Sequence, residues 1–498
     1  MTWINVFLLG CVIVYFFIVL ALFAYGLNFF YLSFYTLNYL RNHKPAVVKG
    51  LECWPAVTVQ LPIYNEWYVA SRLIEAVAAF DYPKGLLEIQ VLDDSTDETK
   101  SLIADTVARL RSQGVNVNHM HRANRRGYKA GALGDGLASA SGEFVAIFDA
   151  DFLPPPDFLK NALPYFDHER VAFVQTRWGH LNRDHSFITL LQSLSLDAHF
   201  LVEQFARSRI GFWFNFNGTA GIWRKEAIQD AGGWKAETLT EDLDLSYRAF
   251  LRGWQARYIS EVVTPAELPV SFTAFRRQQH RWAKGSLECA LRFLPIIWRS
   301  QASFFQKVQA SLHLTGYIVQ ALLVGMVVLY PSVLLISYYW NPRLGVWFNL
   351  ALFFNITVLA PTAYFVASQI VLKRNIFRLL PAILFMNILG AGMMFNTLRA
   401  MLQIIFHRKV AFERTPKYGI TVDKQSWDIS RYFVQIDWLV IVELAFAFFS
   451  LWTVWLASQS QNWLIAFYSF IYAAGLFYTA GSTIFQFMNK RISSVPRT

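Results

Sequence analysis

Residues 143–151 read EFVAIFDAD, an apolar run that stops at two aspartates separated by one alanine. The Val, Ile and Phe content suits a buried strand. Side chains two residues apart in a strand point the same way. The stretch therefore predicts that Asp149 and Asp151 present their carboxylates together at a strand's end. Two hard oxygen donors of this kind suit Mg2+ or Mn2+, with substrate phosphates completing the shell. Asp-x-Asp is also common in ordinary turns, so its meaning depends on its neighbours.

Working outward, strand patterns occur at Ala56–Leu61, Glu88–Asp93, Val115–His121, Glu143–Asp149 and Val171–Thr176. Helical patterns fit 67–80, 97–112, 129–139 and 157–166. This alternation predicts an α/β domain with a mostly parallel sheet. Ligands of such sheets bind beyond the carboxyl ends of the strands. A second strand there ends in acid, Asp93-Asp94-Ser95-Thr96-Asp97. Thr240-Glu241-Asp242 precedes a helical stretch, 243–251. Its bland reading is a helix start, with Thr as cap and acids favoured by the dipole. Its functional reading makes Asp242 a general base, and the two are compatible. Gly127-Tyr128-Lys129-Ala130-Gly131 opens another helix, where Lys129 and free backbone N–H groups could meet a phosphate. The spacing is not that of a phosphate-loop NTPase, and no dinucleotide fingerprint is present.

Outside this region the chain changes character. It has 498 residues, 55% hydrophobic and 17% aromatic, too apolar for an ordinary soluble enzyme. Its net charge of +11 is read with anionic lipid headgroups and phosphorylated substrates rather than with nucleic acid. The three cysteines, Cys11, Cys53 and Cys289, show no metal or disulfide spacing. Residues 5–40 hold no charge, more than the roughly 20 residues that span a bilayer. Arg41, His43, Lys44 and Lys49 follow, which places the N-terminus outside and the next segment in the cytosol. Further apolar spans fall at 308–339, 345–372, 378–402, 433–457 and 463–486. The charged pieces Lys373-Arg374 and 407–431 both read as cytoplasmic, although only 378–402 separates them. That span, with Asn387, Gly390, Gly392, Asn396 and Arg399, is therefore expected to be re-entrant or interfacial, the alternative being a true crossing that breaks the charge rule.

Six stretches occur in order: Pro62-Ile63-Tyr64-Asn65-Glu66, Asp93-Asp94-Ser95, Lys129-Ala130-Gly131-Ala132, Asp149-Ala150-Asp151, Thr240-Glu241-Asp242 and Gln278-Gln279-His280-Arg281-Trp282. Together they resemble the membrane-embedded branch of glycosyltransferase family two, the cellulose synthase-like proteins. Arg414-Thr415-Pro416-Lys417-Tyr418-Gly419 is most similar to the plant-type mannan and glucan synthase-like subgroup. The resemblance implies an α/β GT-A type glycosyltransferase domain inserted between transmembrane helices of a multi-span α-helical membrane protein. The implied division is an N-terminal membrane helix over 1–44, a cytosolic GT-A domain over 45–270, an interface helix with the Gln-x-x-Arg-Trp box over 271–303, and a channel region over 304–498.

It also implies roles. Tyr64, Glu66, Asp94, Lys129, Asp149, Gln278 and Arg281 would bind the nucleotide sugar. Asp149 and Asp151 would hold Mg2+ or Mn2+. Thr240, Glu241 and Asp242 would form the catalytic stretch, with Asp242 deprotonating the acceptor hydroxyl. Trp282, Phe216, Asn217 and Gly218 would bind the acceptor. Phe412, Thr415 and Lys417, in the loop 407–431, would form a gate over the nucleotide. Here Arg414 departs from the family's Val, which bears on the loop's packing, and Asn215 and Asn217 depart from its Phe and Cys, which points to a terminal acceptor sugar that is held differently or is a different sugar.

The expected function is a processive, inverting β-glycosyltransferase that polymerises a glucan or mannan and passes it across the membrane. UDP-glucose is the expected donor, with GDP-mannose as the alternative. The alternative activity is transfer of one sugar to a membrane lipid; a transporter with a soluble regulatory domain is a third reading. The expected location is a bacterial plasma membrane, or else a Golgi membrane. Residues 271–300 read as an amphipathic helix on the membrane surface. Gln278, Arg281 and Trp282 share one face of it, whereas Arg276, Arg277 and Lys284 are expected to serve lipid headgroups.

Overall fold

The computed structural model describes residues 3–43, 50–339, 354–408, 415, 417–420 and 437–493. Phe412 and most of the expected gating loop lie outside them, as does the first part of the expected span 345–372.

Seven strands build one sheet: β1 (Val57–Ile63), β2 (Leu87–Asp93), β3 (Val117–His121), β4 (Phe144–Ile147), β5 (Val171–His180), β6 (Gly221–Arg224) and β7 (Gln255–Ala266). Their order is β3-β2-β1-β4-β6-β5-β7. Only β6 runs antiparallel to its neighbours. The five expected strands are all present, and β6 and β7 are additions. The continuous apolar run of β4 has a simple cause. Ala146 and Phe148 face one core, with helices Ala70–Ala78 and Thr99–Ser112. Val145 and Ile147 face another, with Leu133 and Leu137 of helix Tyr128–Ser139. A strand buried on both sides has no polar face to show.

One expectation fails here. β4 stops at Ile147, so Asp149 and Asp151 sit in the turn beyond it and not on the strand. That turn is fixed by backbone bonds. The Asp149 N–H donates to Thr219 Oγ1 at 2.8 Å, and the Glu267 N–H donates to the Asp151 carbonyl at 3.1 Å.

Five described helices are long and apolar enough to cross a membrane: Leu9–Asn42, Ile318–Ile336, Ile376–Ile405, Leu439–Gln459 and Trp463–Met488. Residues 308–339 are not one helix, because the chain breaks between Leu314 and Ile318. The 376–405 stretch also breaks, at Met393, into Ile376–Gly392 and Met394–Ile405.

Helix Phe272–Arg299 joins the sheet domain to these spans. Two of its cations are not on the lipid side. Arg276 is 4% exposed and Lys284 is 3% exposed. The Arg276 guanidinium bonds both oxygens of Glu443, at 2.8 and 3.3 Å, and donates to Thr483 Oγ1 at 2.9 Å. Its carbonyl accepts from Asn396 Nδ2 at 3.1 Å. Lys284 Nζ donates to the Arg408 carbonyl at 3.1 Å. Positive charge in the sequence was read as headgroup attraction, but a partner carboxylate 167 residues away cannot be seen from the run itself.

A buried pair broken on one side leaves an uncompensated charge, costing about 3–5 kcal/mol, whereas apolar replacement of both partners is often neutral. We expect Arg276→Met to lower the unfolding temperature in detergent markedly, and Arg276→Met with Glu443→Leu to recover most of it. An unchanged melting temperature in the single variant would refute this account of the pair.

Candidate active site

A cleft of about 200 Å³ opens beyond the carboxyl ends of the strands. It gathers Tyr64, Glu66, Asp94, Lys129, Asp149, Asp151, Asn217, Gly218, Thr240, Glu241, Asp242, Gln278, Arg281, Trp282, Thr415 and Lys417. All the expected site residues within the described part of the chain are here except Phe216. The Phe216 ring is fully buried against Phe173 and Trp223. It belongs to the core, so its assignment to the acceptor is corrected. Its backbone N–H still ties the loop, donating to Ser246 Oγ at 2.9 Å.

Lys129 is the centre of the cleft. It lies in the first turn of helix Tyr128–Ser139, which starts after Gly127 at φ 72°. Its Nζ donates to Asp149 Oδ1 at 2.5 Å and to the Gly218 carbonyl at 2.9 Å, and stands 3.8 Å from Glu241. Burial disfavours its charge, but Asp149 and Glu241 hold its pKa above the usual lysine value. The sequence reading gave Lys129 to a phosphate; in the structure it is a counter-ion of carboxylates.

Glu241 and Asp242 open helix Glu241–Leu251. Thr240 precedes it but does not cap it with its side chain. Its hydroxyl turns toward Cys289 Sγ, 3.7 Å away, on helix Phe272–Arg299. The two segments meet at Gly285, where a Cβ would lie 2.5 Å from Thr240 Cγ2. Gly218, at φ 81°, is similarly constrained, since a Cβ there would sit 2.9 Å from Asp242 Oδ2. Burial first, and then the like charge of Glu241, pushes the Asp242 carboxyl up to about 7. Burial also raises Asp149 and lowers Arg281.

On the β2 side, Asp94 is held by Arg122, whose Nε and Nη2 reach its two oxygens at 2.7 and 2.6 Å. Arg125 stacks on Tyr64, 3.4 Å from the ring centroid. The next residue inward, Asp93, is fully buried. His119 Nε2 and His121 Nδ1 lie 2.9 and 3.0 Å from its Oδ2. The sequence reading missed Arg122, Arg125 and this trio.

The described fragment of the expected gating loop is docked into the cleft. Lys417 Nζ donates to Asp151 Oδ2 at 2.6 Å and to the Glu267 carbonyl at 2.5 Å. The Glu267 carboxylate accepts the N–H groups of Tyr418 and Gly419 at 2.8 and 2.9 Å. Glu267, at the end of β7, was also missed; Glu267-Leu268-Pro269 carries no pattern that separates it from other loop acids.

A second cavity, about 440 Å³, adjoins the cleft and shares Trp178, Asn217, Thr240, Asp242 and Trp282 with it. It runs from these residues to Tyr25, Phe29 and Gln320 on two of the membrane-type helices, to Tyr317 in the break before Ile318, and to Tyr364 on the short apolar helix Ala360–Val371.

The donor chemistry of the cleft suits a hard divalent cation. Asp149 and Asp151 supply carboxylate oxygens alone, each facing one lysine ammonium. Asp93 with His119 and His121 is a different group, whose ligand atoms all lie within 4.8 Å of one another. Its two imidazoles make it a weaker match to Mg2+.

Residues 55–285 match the family described as glycosyltransferase like family 2. The chain is 44% identical over 257 residues to glucomannan 4-β-mannosyltransferase 1 of Oryza sativa subsp. japonica, covering 51% of this chain and 49% of that protein. It is 45% identical over 265 residues to glucomannan 4-β-mannosyltransferase 2 of Arabidopsis thaliana, covering 52% and 50%. The match thus spans about half the length of these curated relatives. The fold is shared with a mannosyltransferase from Pyrobaculum calidifontis solved with GDP-Man and Mn2+, at a TM-score of 0.50 and 20% identity, over 72% of this chain and 97% of that one. Residues 55–285 are thus similar to glycosyltransferase like family 2 and have a GT-A-like α/β fold, in a chain whose described residues include five helices long and apolar enough to cross a membrane.

Proposed function

We propose that this protein is a membrane-integrated, inverting β-glycosyltransferase that extends a polysaccharide of mannan or glucomannan type from a nucleotide sugar. One observation carries the reading: Asp242, Lys129, Asp149, Arg281 and Trp282 converge on one cleft that continues into a cavity lined by membrane-type helices. The two plant mannosyltransferase relatives favour GDP-mannose over the UDP-glucose expected from sequence. Their plant origin gives no support to a bacterial membrane.

The acceptor hydroxyl enters from the second cavity, with its sugar ring against Trp282. Asp242 takes the hydroxyl proton as the oxygen attacks the anomeric carbon. The bond from that carbon to the diphosphate breaks on the opposite face, which inverts the configuration. Lys129, Arg281 and Lys417 meet the charge that develops on the leaving diphosphate. Asp149 and Asp151 would hold Mg2+ or Mn2+, which supplies Lewis-acid stabilisation of the same charge. The donor and Trp282 together exclude water, so that the hydroxyl is the favoured nucleophile. The growing chain then has the second cavity as its exit.

The test uses the full chain in lipid nanodiscs with labelled GDP-mannose or UDP-glucose and Mn2+ or Mg2+. We expect an insoluble product from GDP-mannose that a β-mannanase digests. Label that instead extracts into organic solvent as a single sugar would support the lipid-acceptor alternative. Asp242→Asn keeps the shape but removes the base, so transfer should fall roughly 10²–10⁴-fold with nucleotide binding retained. Near-normal turnover would exclude Asp242 as the base.

The pH dependence follows from the same group. Asp242 acts only when ionised, and its pKa is raised to about 7. The rate should rise with pH up to about 7 and level off above it. Glu241→Gln removes a like charge, favours the ionised form and should move this limb toward lower pH. A limb that stays in place or moves upward would disprove the assignment.

A further inference from the structure

The second cavity contains a polar network that the catalytic scheme does not use. It starts in His199–Gln204, one turn of π-helix between helices Phe187–Ala198 and Phe205–Ile210. Such turns are rare and concentrate at functional sites, because the extra residue re-aims the side chains. This one brings His199, Glu203 and Gln204 to Asn217, which lines both cavities.

His199 Nδ1 lies 3.1 Å from Glu203 Oε2. A carboxylate only accepts, so Nδ1 carries a hydrogen; in the neutral imidazole Nε2 is then bare and accepts. Burial works against charge on Glu203, but the His199 bond and Arg207 hold its carboxyl well below the usual range. The bare Nε2 faces Asn217 Nδ2 at 2.9 Å and Gln204 Nε2 at 3.2 Å. The Gln204 amide also donates to Asn217 Oδ1 at 2.9 Å. With Nε2 accepting, the Asn217 amide turns its nitrogen toward His199 and its oxygen toward Gln204. That orientation uses one of its two N–H groups and one of its two oxygen lone pairs. One donor and one acceptor remain on the same planar group, beside Trp282.

We propose that Glu203 and His199 are positioning residues that lock Asn217 as a donor–acceptor pair for adjacent hydroxyls on the acceptor's terminal sugar ring. This rests on the transferase reading above and narrows it. The acceptor end is recognised by paired hydrogen bonds to a vicinal diol, with Trp282 against the ring face.

Glu203→Gln is nearly isosteric but donates to Nδ1. It places the imidazole hydrogen on Nε2 and turns the locked amide against Gln204. Glu203→Asp keeps the carboxylate. The full chain in nanodiscs is assayed with GDP-mannose as donor and β-linked manno-oligosaccharides as acceptors. Loss of one aligned hydrogen bond predicts a rise in acceptor KM of about tenfold for Glu203→Gln and for His199→Ala. Donor KM should stay within about twofold, and Glu203→Asp should lie nearer the wild type than Glu203→Gln. A purely structural tie would move donor KM and kcat together with acceptor KM. Acceptor KM of Glu203→Gln unchanged, or donor KM rising in parallel, overturns this proposal alone. A wild-type chain that transfers no sugar from GDP-mannose or UDP-glucose to any acceptor overturns the transferase reading with it.

Discussion

The cleft depends on one ammonium group. Lys129 bonds the turn after β4 through Asp149 and the loop before β6 through Gly218, and its charge faces the first turn of helix Glu241–Leu251 through Glu241. Those three segments are distant in sequence, and two of them bring acids to the cleft. Without a buried cation between them, Asp149, Glu241 and Asp242 would repel one another in a poorly solvated site. The glycine at 218 lets the loop come close enough for its carbonyl to accept from the lysine, because any side chain would strike Asp242. A single charge thus aligns carboxylates expected to do different work, and leaves Asp242 with a proton affinity near neutrality.

The N-terminal half of the sheet was legible because β1, β2 and β4 are buried on both faces and β2 and β4 lead into acids. β6 was not, because Gly221–Arg224 is four residues long and follows a loop of Asn and Gly. β7 carries a partial alternation, but its pairing with β5 shifts register between Thr176 and Arg177, and the pattern breaks with it. The site was legible where chemistry and position coincide, as in Asp149, Asp242, Arg281 and Trp282. It was not where a side chain's direction depends on a distant partner. Phe216 and Asn217 are neighbours in one motif, yet one fills the core and the other faces the cavities. Arg276 sits in a basic run that reads as a membrane skirt, and only Glu443, from a helix far downstream, turns it inward.

Helix Phe272–Arg299 is the mechanical link between the two halves of the molecule. Its Arg276 face is held by helices Leu439–Gln459 and Trp463–Ser493, and its Gly285 face receives Thr240. Gln278, Arg281 and Trp282 lie between these two attachments and line the cleft. The site is therefore anchored at both ends by contacts that no local motif encodes, which is why the Gln-x-x-Arg-Trp box alone could not show how rigidly it is mounted.

Asp149 and Asp151 each face a lysine, Lys129 from within the domain and Lys417 from the docked fragment. The pair of carboxylates is in this respect an ion exchanger whose resting counter-ions are tethered to the chain. A dication that takes both oxygens has the same charge as the two ammonium groups it meets. If they withdraw, the local charge is unchanged; if they stay, it rises by two, and a diphosphate is the natural anion to balance it. Occupancy by donor and occupancy by metal are then two halves of one neutralisation, and each should favour the other.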